Sequence, residues 1–96
     1  MLQEIVIKAN AEESIKPLVE TAIRNQLKAL QHGIVRTKER IAEFEKNAAI
    51  PSSEFEEKLQ AGTIEETVET IDWNMELAAL RLLESQFHSL SEAKID

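Results

Sequence analysis

The chain has 96 residues, a length that permits one domain with one modest hydrophobic core. Its two glycines, two prolines and 4% aromatic content are typical of a helical protein. The lack of cysteine excludes disulfides, thiolate metal sites and a thiol nucleophile. The formal net charge of -7 is concentrated in residues 51–80, where eight acidic residues accompany the single base Lys58. Such acidity disfavours nucleic acid as a ligand and favours a basic protein partner.

Residues 1–13 are predicted to form either a short strand or the ragged start of a helix, because the apolar run is too short to decide. Its apolar members are Leu2, Ile5, Val6 and Ile7. The segment is acidic where a secretory signal is basic, and no window approaches the ~20 uncharged residues of a membrane span. We therefore expect a cytoplasmic protein with no membrane partner.

A long helix is predicted over residues 14–48, with Pro17 in its first turn. Gly33, in the middle of this helix, predicts a close approach by another backbone. A row of apolar positions with one polar member, Thr37, follows an unbroken 4,3,4,3 spacing that is typical of coiled-coil packing. This heptad seam consists of Ile23, Leu27, Leu30, Ile34, Thr37, Ile41, Phe44 and Ala48.

A short helix is predicted over residues 53–61, because Pro51 disfavours helix in the residue before it and a serine can start the next one. Ser53 and Glu56 have the spacing of a capping box, in which each side chain bonds the backbone of the other residue. Gly62 stands just after the helix, at the position that favours glycine.

The last helix is predicted over residues 64–91, with a capping box formed by Thr63 and Glu66. It has two apolar faces, and one partner helix cannot cover both. The broader face consists of Ile64, Val68, Ile71, Met75, Ala78 and Leu82. The other face, on nearly the opposite side, consists of Trp73, Leu77 and Leu80.

These elements predict an all-α fold, a long antiparallel helical hairpin with a short helix at the turn. The two long helices are expected to be similar in length, so that one returns along the other. Two helices alone make a thin core, and we therefore expect the hairpin to dimerise into a helical bundle. The face with Trp73 would then be covered by the short helix, by a second copy or by another protein.

The sequence contains no motif for catalysis or for a cofactor. Neither His32 nor His88 belongs to a Glu-x-x-His pattern, so a di-metal helical bundle is not indicated. Neither glycine lies in a phosphate-binding loop, and no glycine-flanked serine nucleophile is present. We expect a non-enzymatic protein that needs no metal or cofactor.

Four carboxylates at spacings of 4, 3 and 4 are predicted to line one face of the last helix. Like charges at these spacings slightly oppose the helix, and a basic partner would relieve that repulsion. We predict that this acidic strip and the apolar residues around Trp73 together bind the partner. The predicted binding residues are Glu65, Glu69, Asp72, Trp73, Glu76, Leu77 and Leu80.

Three segments resemble a family of short prokaryotic helical proteins, the antitoxin-like partners of toxin–antitoxin gene pairs. The segments are residues 33–46 with their R-T-K-E-R motif, residues 50–55, and residues 64–73 with an Asp-Trp pair. The chain departs from the family pattern at residues 47–50, where a Lys-Tyr-Gly turn is commoner. The resemblance covers roughly residues 27–90 and implies a non-enzymatic protein that neutralises a small toxin by covering it.

Two alternatives stay open from the sequence. The chain could be a self-associating structural coiled coil outside any toxin system, whose own interface buries Trp73. A DNA-binding dimer that uses residues 3–8 as a ribbon is less favoured, because Glu4 and the net acidity oppose binding to phosphates.

Overall fold

A computed structural model of the chain describes residues 11–93, with side chains from residue 15 onward. It consists of three helices, α1 (Ala11–Ala48), α2 (Ser52–Ala61) and α3 (Val68–Ser91). The helices α1 and α3 pack against each other as a hairpin, and α2 lies at the turn. The predicted all-α hairpin is thereby confirmed. The first ten residues, including the proposed ribbon at 3–8, lie outside the described part.

The heptad seam of α1 is the face that packs on α3. Leu30, Thr37 and Ile41 are buried, and the seam positions on either side of them are half-buried from Ile23 to Phe44. The start predicted at residue 14 is too late, because the helix already includes Ala11. Pro17 therefore lies inside the helix, where its ring nitrogen cannot donate one backbone hydrogen bond. A helix of 38 residues retains enough other bonds to continue through that position.

The two long helices run antiparallel in a regular register. Arg40 of α1 pairs with Glu76 of α3, and one heptad further along Gly33 lies beside Leu83. A Cβ atom at Gly33 would stand 3.4 Å from a methyl group of Leu83. The close approach predicted at Gly33 is therefore made by a side chain and not by a second backbone.

The long helices differ in length, contrary to the expectation of similar lengths. With 38 residues α1 measures about 57 Å, whereas α3 with 24 residues measures about 36 Å. One more heptad from Gly33 brings Gln26 beside Leu90, and α3 ends at Ser91. The part of α1 before residue 25 consequently has no α3 beside it, and we call residues 11–24 the overhang.

The short helix begins in a different way from the one predicted. It starts at Ser52 after the N-cap residue Pro51, and neither Ser53 nor Glu56 makes a capping hydrogen bond, so the Ser53–Glu56 capping box is wrong. Instead the Ser52 backbone N–H donates to Oε2 of Glu45, 2.9 Å away on α1. The C-terminal prediction is confirmed, because Gly62 adopts the left-handed conformation with φ 72°.

The last helix begins four residues later than predicted. Thr67 is its N-cap and accepts from the backbone N–H of Thr70, whose side chain in turn accepts from the Thr67 N–H. This reciprocal pair replaces the predicted Thr63–Glu66 box. Thr63 instead bonds the last turn of α2, since its hydroxyl donates to the Lys58 carbonyl oxygen at 3.2 Å. Two capping pairs were available for the start of this helix, and the later one, Thr67 with Thr70, forms both reciprocal bonds.

Candidate protein-binding surface

Trp73 lies in the core, and the exposed apolar patch predicted around it is absent from the described chain. Its side chain is only 2% exposed, and its ring stacks on Phe55 of α2 with the centroids 4.0 Å apart. Phe44 of α1 stacks on it at 5.8 Å. The indole N–H donates to Oγ of Ser52 at 3.0 Å. Of the three covers considered for this face, the short helix is therefore confirmed, and it is joined by α1.

The other two apolar residues predicted to bind a partner also face inward. Leu77 is buried in the same cluster, and Leu80 packs against that cluster while half-buried. Trp73 and Leu77 are therefore packed within the folded hairpin, contrary to the expectation of an exposed apolar patch, because the sequence does not show which of two apolar faces the hairpin covers. Their role in partner binding stays a prediction.

The four predicted carboxylates do not form one continuous free strip. Glu65 precedes α3, and Glu76 is ion-paired with Arg40, with 3.1 Å between Oε2 and Nε. Glu69 and Asp72 are exposed on the first turns of α3. Among the described side chains no basic group lies within 4.0 Å of Glu65, Glu69 or Asp72. Their role in binding stays a prediction, whereas Glu76 already has an internal partner.

The broad apolar face of α3 points outward, although the sequence suggested that it was the core face. Val68 is 77% exposed, Ile71 48%, Met75 64% and Leu82 59%. Together with the exposed Ala78, these residues follow a 3,4,3,4 spacing along one side of the helix. We call Val68, Ile71, Met75, Ala78 and Leu82 the outer stripe. Ile64, predicted as its first member, instead lies before the helix and packs against the core.

One edge of the outer stripe borders a concave surface between α3 and the end of α2. The cavity has a volume of about 290 Å³. Its walls combine apolar side chains with one carboxylate and two neutral polar groups. The lining residues are Leu59, Glu66, Thr70, Ile71, Asn74 and Met75. Asp72 borders the other edge of the stripe, so acidic groups lie on both sides of its first half.

The described residues hold no constellation that suggests metal chemistry. No group of three or more His, Cys, Asp or Glu side chains stands close enough within them to hold a metal ion. His88 lies 3.4 Å from Glu92 on the exposed end of α3, at the ordinary (i, i+4) spacing. Within residues 11–93 no helix is long and apolar enough to cross a lipid bilayer.

Comparisons with family models, with characterised proteins and with solved structures gave no match. The resemblance to antitoxin-like proteins is therefore carried by the sequence motifs alone. The surface chemistry of the hairpin is consequently the basis on which a function is proposed.

Proposed function

We propose that the chain is a non-enzymatic protein-binding module and that its outer stripe receives a helix of a basic partner protein. The observation that carries this proposal is the exposure of four large apolar side chains in a single row on α3. Water contact along such a row is unfavourable, and a helix with apolar residues at matching spacing removes it. The row is about 21 Å long from Val68 to Leu82 at 1.5 Å per residue, which is the length of four helical turns.

Charge supports a basic partner over a second copy at this stripe. Residues 51–80 carry a net charge of -7, and pairing two such segments would bring like charges together. Glu66 and Asp72 on the two edges of the stripe can instead face Lys or Arg side chains that flank the apolar row of a partner helix. Electrostatic attraction of this kind accelerates association and selects the partner more than it adds affinity.

Neutralisation of a small toxin, the function that the family resemblance implies, is one specific form of this proposal. It would require the partner's own active surface to be covered by α3 or by the neighbouring acidic groups. The apolar and acidic composition of this surface suits a basic toxin, and binding of such a partner is the first requirement for neutralising it.

The test is recovery of a stoichiometric partner by the tagged chain from its native host, with the wild type and two variants compared. Met75→Glu places a charge in the middle of the stripe and should abolish recovery. Val35→Glu is the matched control, because Val35 is a 48% exposed apolar residue on α1, away from the stripe. Both variants add the same negative charge, so a difference between them reports the apolar contact and not the net charge.

Asp72→Lys tests the electrostatic part of the proposal. We expect it to weaken binding in low salt and to have less effect at high ionic strength, because exposed charges are screened there. Equal recovery by wild type and Met75→Glu, or no stoichiometric partner for the wild type, would overturn the proposed function.

A further inference from the structure

The cavity between α3 and the end of α2 adjoins the outer stripe directly. Ile71 and Met75 line this cavity and also belong to the stripe. A helix that lies on the stripe therefore passes beside the cavity, and a side chain on the flank of that helix can enter it. With a volume of about 290 Å³, the cavity leaves room for one long side chain. We call it the α2–α3 cavity.

The walls of the α2–α3 cavity offer two polar groups that are free to bind a ligand. The Glu66 carboxylate has no basic group within 4.0 Å among the described side chains. The Asn74 side chain makes no hydrogen bond within that part of the chain. The third polar group, the Thr70 hydroxyl, is already bonded, because it accepts from the Thr67 N–H and donates to a nearby carbonyl oxygen. The remaining walls are the apolar side chains of Leu59, Ile71 and Met75.

The local charge favours a cation in this cavity. No basic residue belongs to its walls, and the neighbouring base Lys58 is ion-paired with Glu54 at 3.3 Å. The helix dipoles contribute little, because the negative end of α2 and the positive end of α3 meet here and offset each other. The sign of the potential is therefore determined by Glu66 and by the acidic segment of residues 51–80 that contains it.

We propose that the α2–α3 cavity binds one arginine side chain of the partner helix. The aliphatic stem packs on the apolar walls, while the guanidinium donates to the Glu66 carboxylate and to the Asn74 amide oxygen. A planar guanidinium has five donors and serves two separate acceptors at once, whereas a lysine ammonium is a compact and strongly hydrated charge. This contact rests on the proposed function, since the partner helix must first lie on the outer stripe.

The two edges of the outer stripe consequently act differently. On the edge opposite the cavity, Asp72 is exposed and is not a lining residue. An exposed carboxylate of this kind attracts lysine and arginine alike and is screened by salt. The Glu66 edge combines a carboxylate, an amide and an apolar wall, and this combination favours arginine. The partner helix is therefore oriented on the stripe by one arginine on the flank that faces α2.

The first test selects ligands from a displayed library and needs no knowledge of the native partner. The library varies one exposed helix of a stable helical bundle over about 15 residues, the length of the stripe. Leucine is fixed at a 3,4,3,4 spacing, and the flanking positions are randomised. The targets are the full-length wild type, Glu66→Gln and Glu57→Gln. Glu57 is the matched control, because it is exposed on α2 and does not line the cavity, and both variants lose one negative charge.

We expect the wild type to select helices in which arginine is enriched over lysine at one flanking position. This enrichment should disappear with Glu66→Gln and persist with Glu57→Gln. Leu82→Glu identifies helices that bind through the stripe, because Leu82 belongs to the stripe and lies outside the cavity walls. Helices that depend on Leu82 but show no arginine preference would overturn the cavity contact and leave the proposed function intact. A lack of any helix that depends on Leu82 would overturn both.

The second test measures the same contact with the native partner recovered from the host. Glu66→Gln should weaken binding at least about three-fold, whereas Glu57→Gln should change it by less than about two-fold. An equal loss in the two variants would mean that only net charge matters, and would overturn the contact. Equal affinities of the wild type and Glu66→Gln, with binding still lost in Leu82→Glu, would overturn the arginine contact while supporting the outer stripe.

Discussion

Trp73 donates its indole N–H to Oγ of Ser52 at 3.0 Å, and the backbone N–H of Ser52 donates to Oε2 of Glu45 at 2.9 Å. Through this one serine, at the first residue of α2, the three helices are linked by two hydrogen bonds. The same tryptophan ring is enclosed between Phe44 and Phe55, one from each of the other helices. The junction fixes α2 on the hairpin and determines which side of α3 faces inward.

The Ser52 hydroxyl is expected to contribute measurably to stability. Ser52→Ala leaves the buried indole N–H without an acceptor, and such a loss costs about 1–3 kcal/mol of unfolding free energy. Ser53→Ala is the matched control, because Ser53 is exposed and its side chain caps nothing. Urea denaturation followed by Trp73 fluorescence measures both variants. An equal loss of stability in the two variants would contradict the junction.

The burial of Trp73 has a direct optical consequence. The chain has a single tryptophan, so iodide quenching reports this position alone. With the side chain 2% exposed, we expect weak quenching in the folded chain and strong quenching after unfolding. Because the cover comes from the same chain, the protection should not change when the protein is diluted. Quenching that rises on dilution would mean that a second copy buries the indole.

Two turn positions should respond oppositely to exchange of glycine and alanine. Ala49 and Gly62 both have positive φ, at 61° and 72°. Gly62→Ala should cost about 1–2 kcal/mol through backbone strain alone, since no atom lies within 4 Å of the added Cβ. Ala49→Gly should stabilise by up to about 1 kcal/mol, because relief of strain exceeds the added chain entropy. Thermal unfolding tests both, and a stabilising Gly62→Ala would refute the reasoning.

The course of α1 could be predicted from the sequence because its seam extends over several heptads without a competing pattern. Contacts between α1 and α3 recur every seven residues because the seam is a heptad repeat. The pairing of Arg40 with Glu76 is one of these contacts. The start of α3 could not be foreseen, because two threonines four residues apart, Thr63 and Thr67, both offer an N-cap.

The sequence pattern misleads about the inward face of α3. The outer stripe has more members and a more regular spacing than the face with Trp73. Burial depends on area and shape rather than number, and here a tryptophan enclosed by two phenylalanines lies at the centre of the core. The sequence did contain a useful signal for the inward face. Phe44 lies near the end of α1 and Phe55 near the beginning of α2, so both phenylalanines are close to the turn.

Stability measurements should separate the two faces of α3. Met75→Gln changes an exposed residue and should alter the unfolding free energy by less than about 0.5 kcal/mol. Leu77→Ala removes a buried side chain two positions further on and should cost about 2–4 kcal/mol. Guanidinium titration provides both values. Comparable losses would show that the outer stripe is also packed within the chain.

The most direct test of the central claim, that the outer stripe is the binding surface, is site-specific photo-crosslinking in the native host. A photoreactive amino acid is placed at position 75 in one sample and at position 35 in another, both exposed on separate helices. We predict that position 75 gives one dominant crosslinked product with a basic protein, whereas position 35 gives none. The same products from both positions, or no product from position 75, would contradict the claim.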